Sequence, residues 1–408
     1  MTVPLNIAVL GYGTAGQAAA ILLRQQGHHV SVVERSPALK PLGAGLLLQP
    51  TGLEVLSEMG LLQTALALGR KVDALYGVNQ RGSRVMDMRY CELQADYFGL
   101  GIQRGALFGL LKQADARADQ VQLGVTITDI DRSANTLIDI DGKRIGPFDL
   151  IVLADGAHSQ LRKCFPELIT QDRAYPWGAV WCLLDDRREP GDPGRSKLMQ
   201  RYRAARQMCG VLPVGTLLEQ DVKPYKNNHD KVCFFWSLPV DKFPEWDFHG
   251  LGNWRSAVHE LWPEVADMLL QIQHPNEMAK ASYRDVVLKR YFADRVVLLG
   301  DCAHGMSPQL GQGANMALLD ARSLANALSV QPDLPSALAH YDADRRQHLV
   351  IYQRLSRWLT PLFQSNSTLA AWLRDLTMYP SSRLPFVHQQ SLKVLAGLQS
   401  GWFGRWRG

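Results

Sequence analysis

The chain has 408 residues, of which 46% are hydrophobic and 20% charged, with a net charge of +5. That length supports two or more folded units with a substantial core, and that balance excludes a disordered chain. Lys and Arg are scattered, so the excess suits an anionic small cofactor and not nucleic acid; no apolar run reaches the roughly 20 residues that span a bilayer.

Six cysteines (Cys91, Cys164, Cys182, Cys209, Cys233, Cys302) stand singly, with no Cys-x-x-Cys and no metal-ligand spacing. This predicts reduced thiols, no metal site and a cytoplasmic protein. Met1 to Pro4 lead directly into the first apolar run, so no signal peptide is expected.

Leu5 to Leu10 reads as a buried parallel strand that ends at Gly11-Tyr12-Gly13-Thr14-Ala15-Gly16. Gly11 suits a tight turn, Gly13 a close approach to a pyrophosphate, and Gly16 the packing of the next helix on the strand. The amides that open that helix, from Thr14 and Ala15 onward, can hold phosphate oxygens with help from the helix dipole. A second strand, His29 to Val33, delivers Glu34 close to the ~20-residue spacing of an acid that hydrogen-bonds an adenosine ribose. A carboxylate there would repel a 2′-phosphate. With Arg35, this opening resembles that of glutathione-reductase-type flavoproteins.

Two further strands deliver acids. Asp149 to Ala154 leads to Asp155-Gly156, with Ser159 and Arg162 following. Arg295 to Leu299 leads to Gly300-Asp301, whose carboxylate can accept hydrogen bonds from a ribityl chain. Then comes Ser307 to Gly313, with Pro308, Gly311 and Gln312, before a helix over Ala314 to Asp320 that begins Ala314-Asn315. The amides of that helix start would favour an anionic reduced flavin. Between these motifs, Tyr175 to Trp181 and Cys233 to Pro239 read as aromatic-rich strands. They make Trp177, Trp181, Phe235 and Trp236 candidates for an apolar substrate wall. Glu219 to Asp230 reads as a surface loop. Ser336 to Trp358 and Leu369 to Leu376 read as helices. The last stretch, Leu384 to Gly408, combines Leu392, Leu395, Leu398, Trp402, Phe403 and Trp406 with Lys393, Arg405 and Arg407. Packing on the core or a dimer contact is the favoured reading of that tail, with peripheral membrane contact the alternative.

The glycine motif with Glu34-Arg35, the Asp155-Gly156-x-x-Ser159-x-x-Arg162 segment and Gly300-Asp301 occur together and in this order. The set resembles the class A (single-component) flavoprotein aromatic monooxygenases, the family of para-hydroxybenzoate hydroxylase. Gly43-Ala44-Gly45, Gln103-Arg104 with Leu107, and Tyr283-Arg284-Asp285-Val286 add to the likeness, which covers about residues 1–330. It implies an α/β fold: a Rossmann-like FAD-binding domain interleaved with a mixed β-sheet substrate domain, and a helical carboxyl-terminal region. The corresponding division is 1–170 with an insertion around 70–100, 171–280 for the substrate sheet, 281–330 as the second part of the FAD domain, and 331–408.

The resemblance further implies FAD as cofactor, NAD(P)H as transient co-substrate, and O₂ activated as a flavin C4a-hydroperoxide that hydroxylates an aromatic or similarly planar small molecule. Gly11, Gly13, Gly16, Glu34 and Arg35 would hold the ADP half of FAD. Arg104 would meet the phosphate or ribityl region, Asp155 the pyrophosphate side, and Asp301 the ribityl chain. Pro308 and Gly311 to Asn315, with Gln312, Gly313 and Ala314, would border the ring. Lys40 stands where relatives place an Arg and lacks its bidentate fork. Phe234 to Pro239 is a partial look-alike of a flavin-dependent halogenase signature, and a flavin reductase or oxidase is the other alternative. A monomer or homodimer is expected.

Overall fold

Four short apolar runs, Asn6–Leu10, His29–Glu34, Leu150–Leu153 and Val296–Leu298, are buried on both faces and pair in parallel, as β-branched runs covered by helices do. They form the centre of a six-stranded sheet in the order Phe292–Ala293, Val296–Leu298, Leu150–Leu153, Asn6–Leu10, His29–Glu34, Gln122–Leu123. The computed structural model describes residues 3–39, 44–216, 230–402 and 404–406, the side chains of 247–250 excepted. Lys40, Gly43, Phe403, Arg407 and all but the last residue of the Glu219 to Asp230 stretch therefore lie outside the described residues.

Register matters more than strand count here. Leu10 pairs with Val33 on one side and Leu153 on the other, and Leu153 pairs with Leu298. The four chains thus leave the sheet in one row, at its carboxyl edge, where open α/β sheets bind their ligands. The helix Thr14–Gln25 packs on one face against Gly313–Val330.

A seven-stranded sheet stands beside it, in the order Ala279–Leu288, Ile169–Asp185, Lys231–Pro239, Gln207–Gly215, Lys197–Arg203, Ala74–Asn79, Arg84–Arg89. Alternation along its strands separates two cores. Val180, Cys182, Phe234, Trp236 and Leu238 face the helix Phe243–Leu261 and its Trp246 and Trp254. Trp181, Leu183 and Cys233 point the other way, toward the strand Gly45–Leu48, and Phe235 on the same face packs with Val85, Tyr202, Met208 and Phe363. The Gly45 backbone N–H donates to Cys233 Sγ at 3.1 Å, and a Cβ at Gly45 would come within 2.7 Å of Cys233 Cβ. Only glycine lets that strand lie so close.

The carboxyl-terminal region is helical: Leu334–Phe363, Thr368–Ser382 and Pro385–Ala396. The first extends past both ends of the Ser336 to Trp358 pattern. Asp333 caps it by accepting from the Ser336 N–H at 2.8 Å. The tail packs in part on the core and in part leaves apolar side chains, Leu384 and Phe386 among them, exposed. Leu392, Leu395, Leu398 and Trp406 are all buried, while Trp402 and Arg405 are exposed. No helix among the described residues is long and apolar enough to cross a membrane.

Candidate functional site

The glycine motif folds as a turn that only glycine permits. Gly11 has φ +95°, and a Cβ at Gly16 would sit 1.9 Å from the Gly11 carbonyl oxygen. The space beside Gly13 is open to 4 Å. The helix start at Thr14, Ala15 and Gly16 has no side-chain cap and no acid in its first turn. Its free amides face outward, an arrangement that suits phosphate oxygens. Gly16→Ala is expected to abolish FAD retention, because either the turn or the helix must move; a purified variant that keeps its yellow colour would contradict this.

Glu34 arrives at the end of its strand and accepts from the Tyr12 and Ser36 backbone N–H groups, each at 2.8 Å. A carboxylate has about four acceptor sites, so ribose hydroxyls can still be accommodated. Arg35 is exposed beside it. Tyr12 donates to Asp115 Oδ2 at 2.7 Å, and Asp115 also pairs with Arg24, which ties the glycine turn to the helix Arg104–Ala114.

Gly300-Asp301 is brought directly onto this turn. Gly300 has φ +61°, and a Cβ there would lie 3.0 Å from Ala15 Cβ. Asp301 is exposed, with Oδ1 3.7 Å from where a Gly313 Cβ would stand. Arg104 is exposed at the first position of its helix, and the Tyr283 hydroxyl feels the charges of both Arg104 and Asp301. Asp155 leaves the neighbouring strand with Oδ1 buried and without a hydrogen-bond partner among the described residues. Burial raises its pKa above the usual carboxylate range, against partial compensation by Ser159, Cys302 and Arg162. Arg162 itself is buried and turned away, onto Asp172 at 2.7 Å and the Cys302 carbonyl at 2.9 Å.

The Pro308–Leu310 turn ends at Gly311 in the left-handed region, φ +61°. Gln312 is buried but points away from this edge, donating to the Val394 and Leu395 carbonyls at 3.1 and 2.9 Å. Gly313 and Ala314 open the helix without a side-chain cap. Asn315 is buried; it accepts from the Gln49 N–H at 2.8 Å and donates to the Leu47 and Gly311 carbonyls. Gln49 in turn accepts from the Tyr90 hydroxyl at 2.5 Å, leaving its own Nε2 without a partner.

Of the four aromatic candidates, Trp181 and Phe235 share the sheet face opposite the helix Phe243–Leu261, with ring centroids 4.9 Å apart. Trp177 is buried opposite Pro239, in register on the same face as Trp181. Trp236 belongs to the other face and packs edge-on to Trp254 at 6.5 Å. Adjacent residues of one strand point oppositely, so Phe235 and Trp236 cannot line the same wall. Trp236→Phe is expected to cost about 1–2 kcal/mol of stability without changing substrate ranking, while Trp181→Phe reorders the ranking. Thermal melts and relative kcat/KM values would separate the two effects.

Several members of the site carry little sequence signal. The Tyr283 hydroxyl and the Trp181 indole N–H, both buried, lie beside each other with no well-formed hydrogen bond; the Tyr175 hydroxyl is likewise unsatisfied. Ser307 shares hydrogen bonds with Ser356 and Thr360 at 2.8 and 2.6 Å, beneath the Pro308 turn. Asp320, Arg345, His304 and His348 form a buried ionic cluster behind Gly300: Asp320 accepts from the Gly300 N–H and His304 Nε2 at 2.6 Å each, and from Arg345 Nε at 2.7 Å. His304 is thus a partner of Asp320 within the core. Of these, Tyr283 stands in the Tyr-Arg-Asp-Val run, Tyr175 and Trp181 in the aromatic-rich strand and Ser307 at the start of the Pro308 segment, whereas Arg345, His348, Ser356 and Thr360 belong to no motif.

The residues fit a flavin dinucleotide. A glycine cradle that a Cβ would fill, two uncapped helix starts, an exposed carboxylate between them and unsatisfied buried polar atoms at one edge are what an extended diphosphate with a polar ring requires. No group of His, Cys, Asp and Glu able to hold a metal ion occurs among the described residues.

The family described as "FAD binding domain" matches residues 5–352. The chain is similar to the aurachin C monooxygenase/isomerase of Stigmatella aurantiaca, with 26% identity over 395 residues, 93% of this chain and 94% of that protein. It is 26% identical over 381 residues to the FAD-dependent urate hydroxylase of Klebsiella pneumoniae, covering 86% of this chain and 89% of that one. Among solved structures, Klebsiella pneumoniae HpxO complexed with FAD and uric acid superposes with a TM-score of 0.76 at 20% identity, covering 96% of this chain and 97% of that chain. A variant of 2-methyl-3-hydroxypyridine-5-carboxylic acid oxygenase gives 0.76 at 20% identity, over 98% and 99%. These likenesses establish a shared fold.

Proposed function

The chain belongs to the FAD binding domain family, and on that premise we propose that it is an FAD-dependent monooxygenase that uses NAD(P)H and O₂ to hydroxylate an aromatic or similarly planar small molecule. The observation that carries the reading is the alignment of Gly11, Glu34, Asp155 and Gly300-Asp301 along one sheet edge, beside an aromatic sheet face. Relatives named for aurachin C and urate support a planar, ring-containing substrate. Residues 1–170 and 281–330 would hold the cofactor, and 171–280 the substrate.

Bound FAD would supply hydride acceptance and oxygen activation. The chain's own residues bind, orient and exclude water. The Thr14–Gly16 amides would hold the pyrophosphate, Glu34 the adenosine ribose, and Asp301 the ribityl hydroxyls. Arg104 would add positive charge at the phosphate or ribityl region. Asp155 would support the pyrophosphate side. Pro308, Gly311 and the Gly313–Asn315 helix start would border the ring and place backbone dipoles where a reduced flavin is anionic. Trp181 and Phe235 would orient a planar ring and keep the space dry. The Tyr283 hydroxyl and Trp181 N–H, unsatisfied where they stand, would meet a polar substituent of the substrate.

The test is NAD(P)H consumption by the purified flavoprotein across phenols, aromatic acids and N-heterocycles, with mass spectrometry of the products. Stimulated oxidation and a product one oxygen heavier is the expected result. Oxidation yielding only peroxide would assign the chain to the oxidases, and a chloride-dependent product to the halogenases.

A further inference from the structure

We propose that the outer face of the carboxyl-terminal helical region is a docking surface for an anionic lipid bilayer. The helix Thr368–Ser382 is amphipathic with its apolar stripe turned outward. Leu369, Trp372, Leu373 and Leu376, at helical spacings of three and four, are 70%, 60%, 46% and 54% exposed, while Ala371 and Arg374 on the opposite side are buried. Nearby elements add to the apolar surface. Trp358, 59% exposed near the end of Leu334–Phe363, stacks on Trp402 at 5.4 Å. Most large exposed hydrophobics of the described residues lie between Trp358 and Trp402, so they form a concentration and not the usual scatter.

Charge identifies the occupant. Residues 354–408 contain seven cations (Arg354, Arg357, Arg374, Arg383, Lys393, Arg405, Arg407) and one acid, Asp375. The whole chain carries only +5, so its entire positive excess resides in this segment. Lys and Arg are spread evenly along the sequence; the acids are what is missing here. Asp375 accepts from Arg374 at 2.7 Å and from Asn79 at 2.9 Å, so this acid and the buried Arg374 offset each other, and Arg357 is paired with Asp285; the remaining cations carry the excess. Arg354 precedes Trp358 by one helical turn and shares its side of the helix, and Arg383 lies two turns beyond Leu376 at the carboxyl end of the stripe. Exposed tryptophans and leucines with the exposed Arg354 and Arg383 at their margins match an interfacial lipid surface. A second copy of the chain is the poorer occupant, because a two-fold contact would set this cationic surface against itself.

The experiment is co-flotation of FAD-loaded full-length protein with vesicles of phosphatidylcholine alone or mixed with phosphatidylglycerol. Binding to the anionic vesicles that weakens with salt is expected. The double variant Trp372→Glu/Leu376→Glu should remain in solution while keeping its flavin and its NAD(P)H oxidation. Arg383→Glu should lower partitioning several-fold, since each basic residue near such a surface is worth roughly fivefold. Wild-type protein that stays unbound on anionic vesicles would overturn the proposal. Sedimentation of the unbound wild type as a dimer that the double variant dissociates would also overturn it, and would assign the face to a second copy.

Discussion

Replacing Asp301 by alanine is expected to empty the protein of FAD while leaving it folded. The carboxylate is exposed and has no hydrogen-bond partner among the described residues, so its loss removes no internal contact. It stands between the glycine turn, through Gly300 and Ala15, and the helix start at Gly313. Both neighbours are backbone, which offers amide donors but no acceptor of this strength. A polyol crossing that gap has hydroxyl donors to satisfy, and Asp301 is the acceptor placed for them. A hydrogen bond to a charged group contributes about 1.5–3 kcal/mol, so each bond lost weakens binding roughly 10- to 100-fold. Asp301→Asn keeps one acceptor oxygen and should fall between wild type and Asp301→Ala. Titration of the apo-protein with FAD, followed by fluorescence quenching, gives the affinities, and melts without FAD check the fold. Undiminished affinity in Asp301→Ala would remove this residue from the site.

What the sequence discloses of this fold is what backbone geometry imposes locally. Gly11, Gly16 and Gly300 are legible because positive φ or a carbonyl within 2 Å admits no other residue. The strands before them are legible because parallel strands covered on both faces must be apolar throughout. The roles that escape are those assembled by distant partners. Gln49, Tyr90 and Asn315 meet from three separate elements, and nothing in the run Leu48-Gln49-Pro50 announces a buried amide. The aromatic strand is an intermediate case. Alternation shows that Phe235 and Trp236 diverge, but which of them is covered depends on where the helix Phe243–Leu261 comes to rest. The charge count has the same character: read over the whole chain it is mild, and it becomes informative only once the helices that carry it are seen to expose leucines and tryptophans.

Arg345→Met is expected to be strongly destabilising, and its effect should reach the cofactor. Arg345 and Asp320 are fully buried. Burial alone would raise the Asp320 pKa, but His304, Arg345 and the Gly300 N–H outweigh it and hold the carboxyl below its usual range. Removing one partner leaves a buried charge short of its donors, which costs about 3–5 kcal/mol. Because Asp320 also anchors the Gly300 N–H, FAD affinity should fall as well, though less than in Asp301→Ala.

The same cluster predicts a pH dependence. Arg345 Nη1 donates to His348 Nδ1 at 2.9 Å, so Nε2 carries the proton and donates to the Gly397 carbonyl at 2.8 Å. The Trp406 ring stacks on this imidazole at 4.4 Å. Burial first, and the adjacent guanidinium second, push the His348 pKa well below 6.5. The folded protein therefore keeps His348 neutral where the unfolded chain takes up a proton. Stability from this group is complete above pH 6.5 and declines as the pH falls, by up to ~1.4 kcal/mol per pH unit. Asp320 has the same sign but acts below the ordinary carboxylate range, while Asp155 and Glu54, whose carboxyls burial raises, act with the opposite sign, so the contribution of His348 between pH 5 and 6.5 is read as a difference between wild type and a variant. His28, also lowered by burial, adds a lesser slope there. His348→Gln keeps an acceptor for Arg345 and a donor for Gly397 but cannot titrate. Urea unfolding across that interval should show a slope shallower by nearly one proton in the variant, and equal slopes would mean that His348 is already charged in the folded protein.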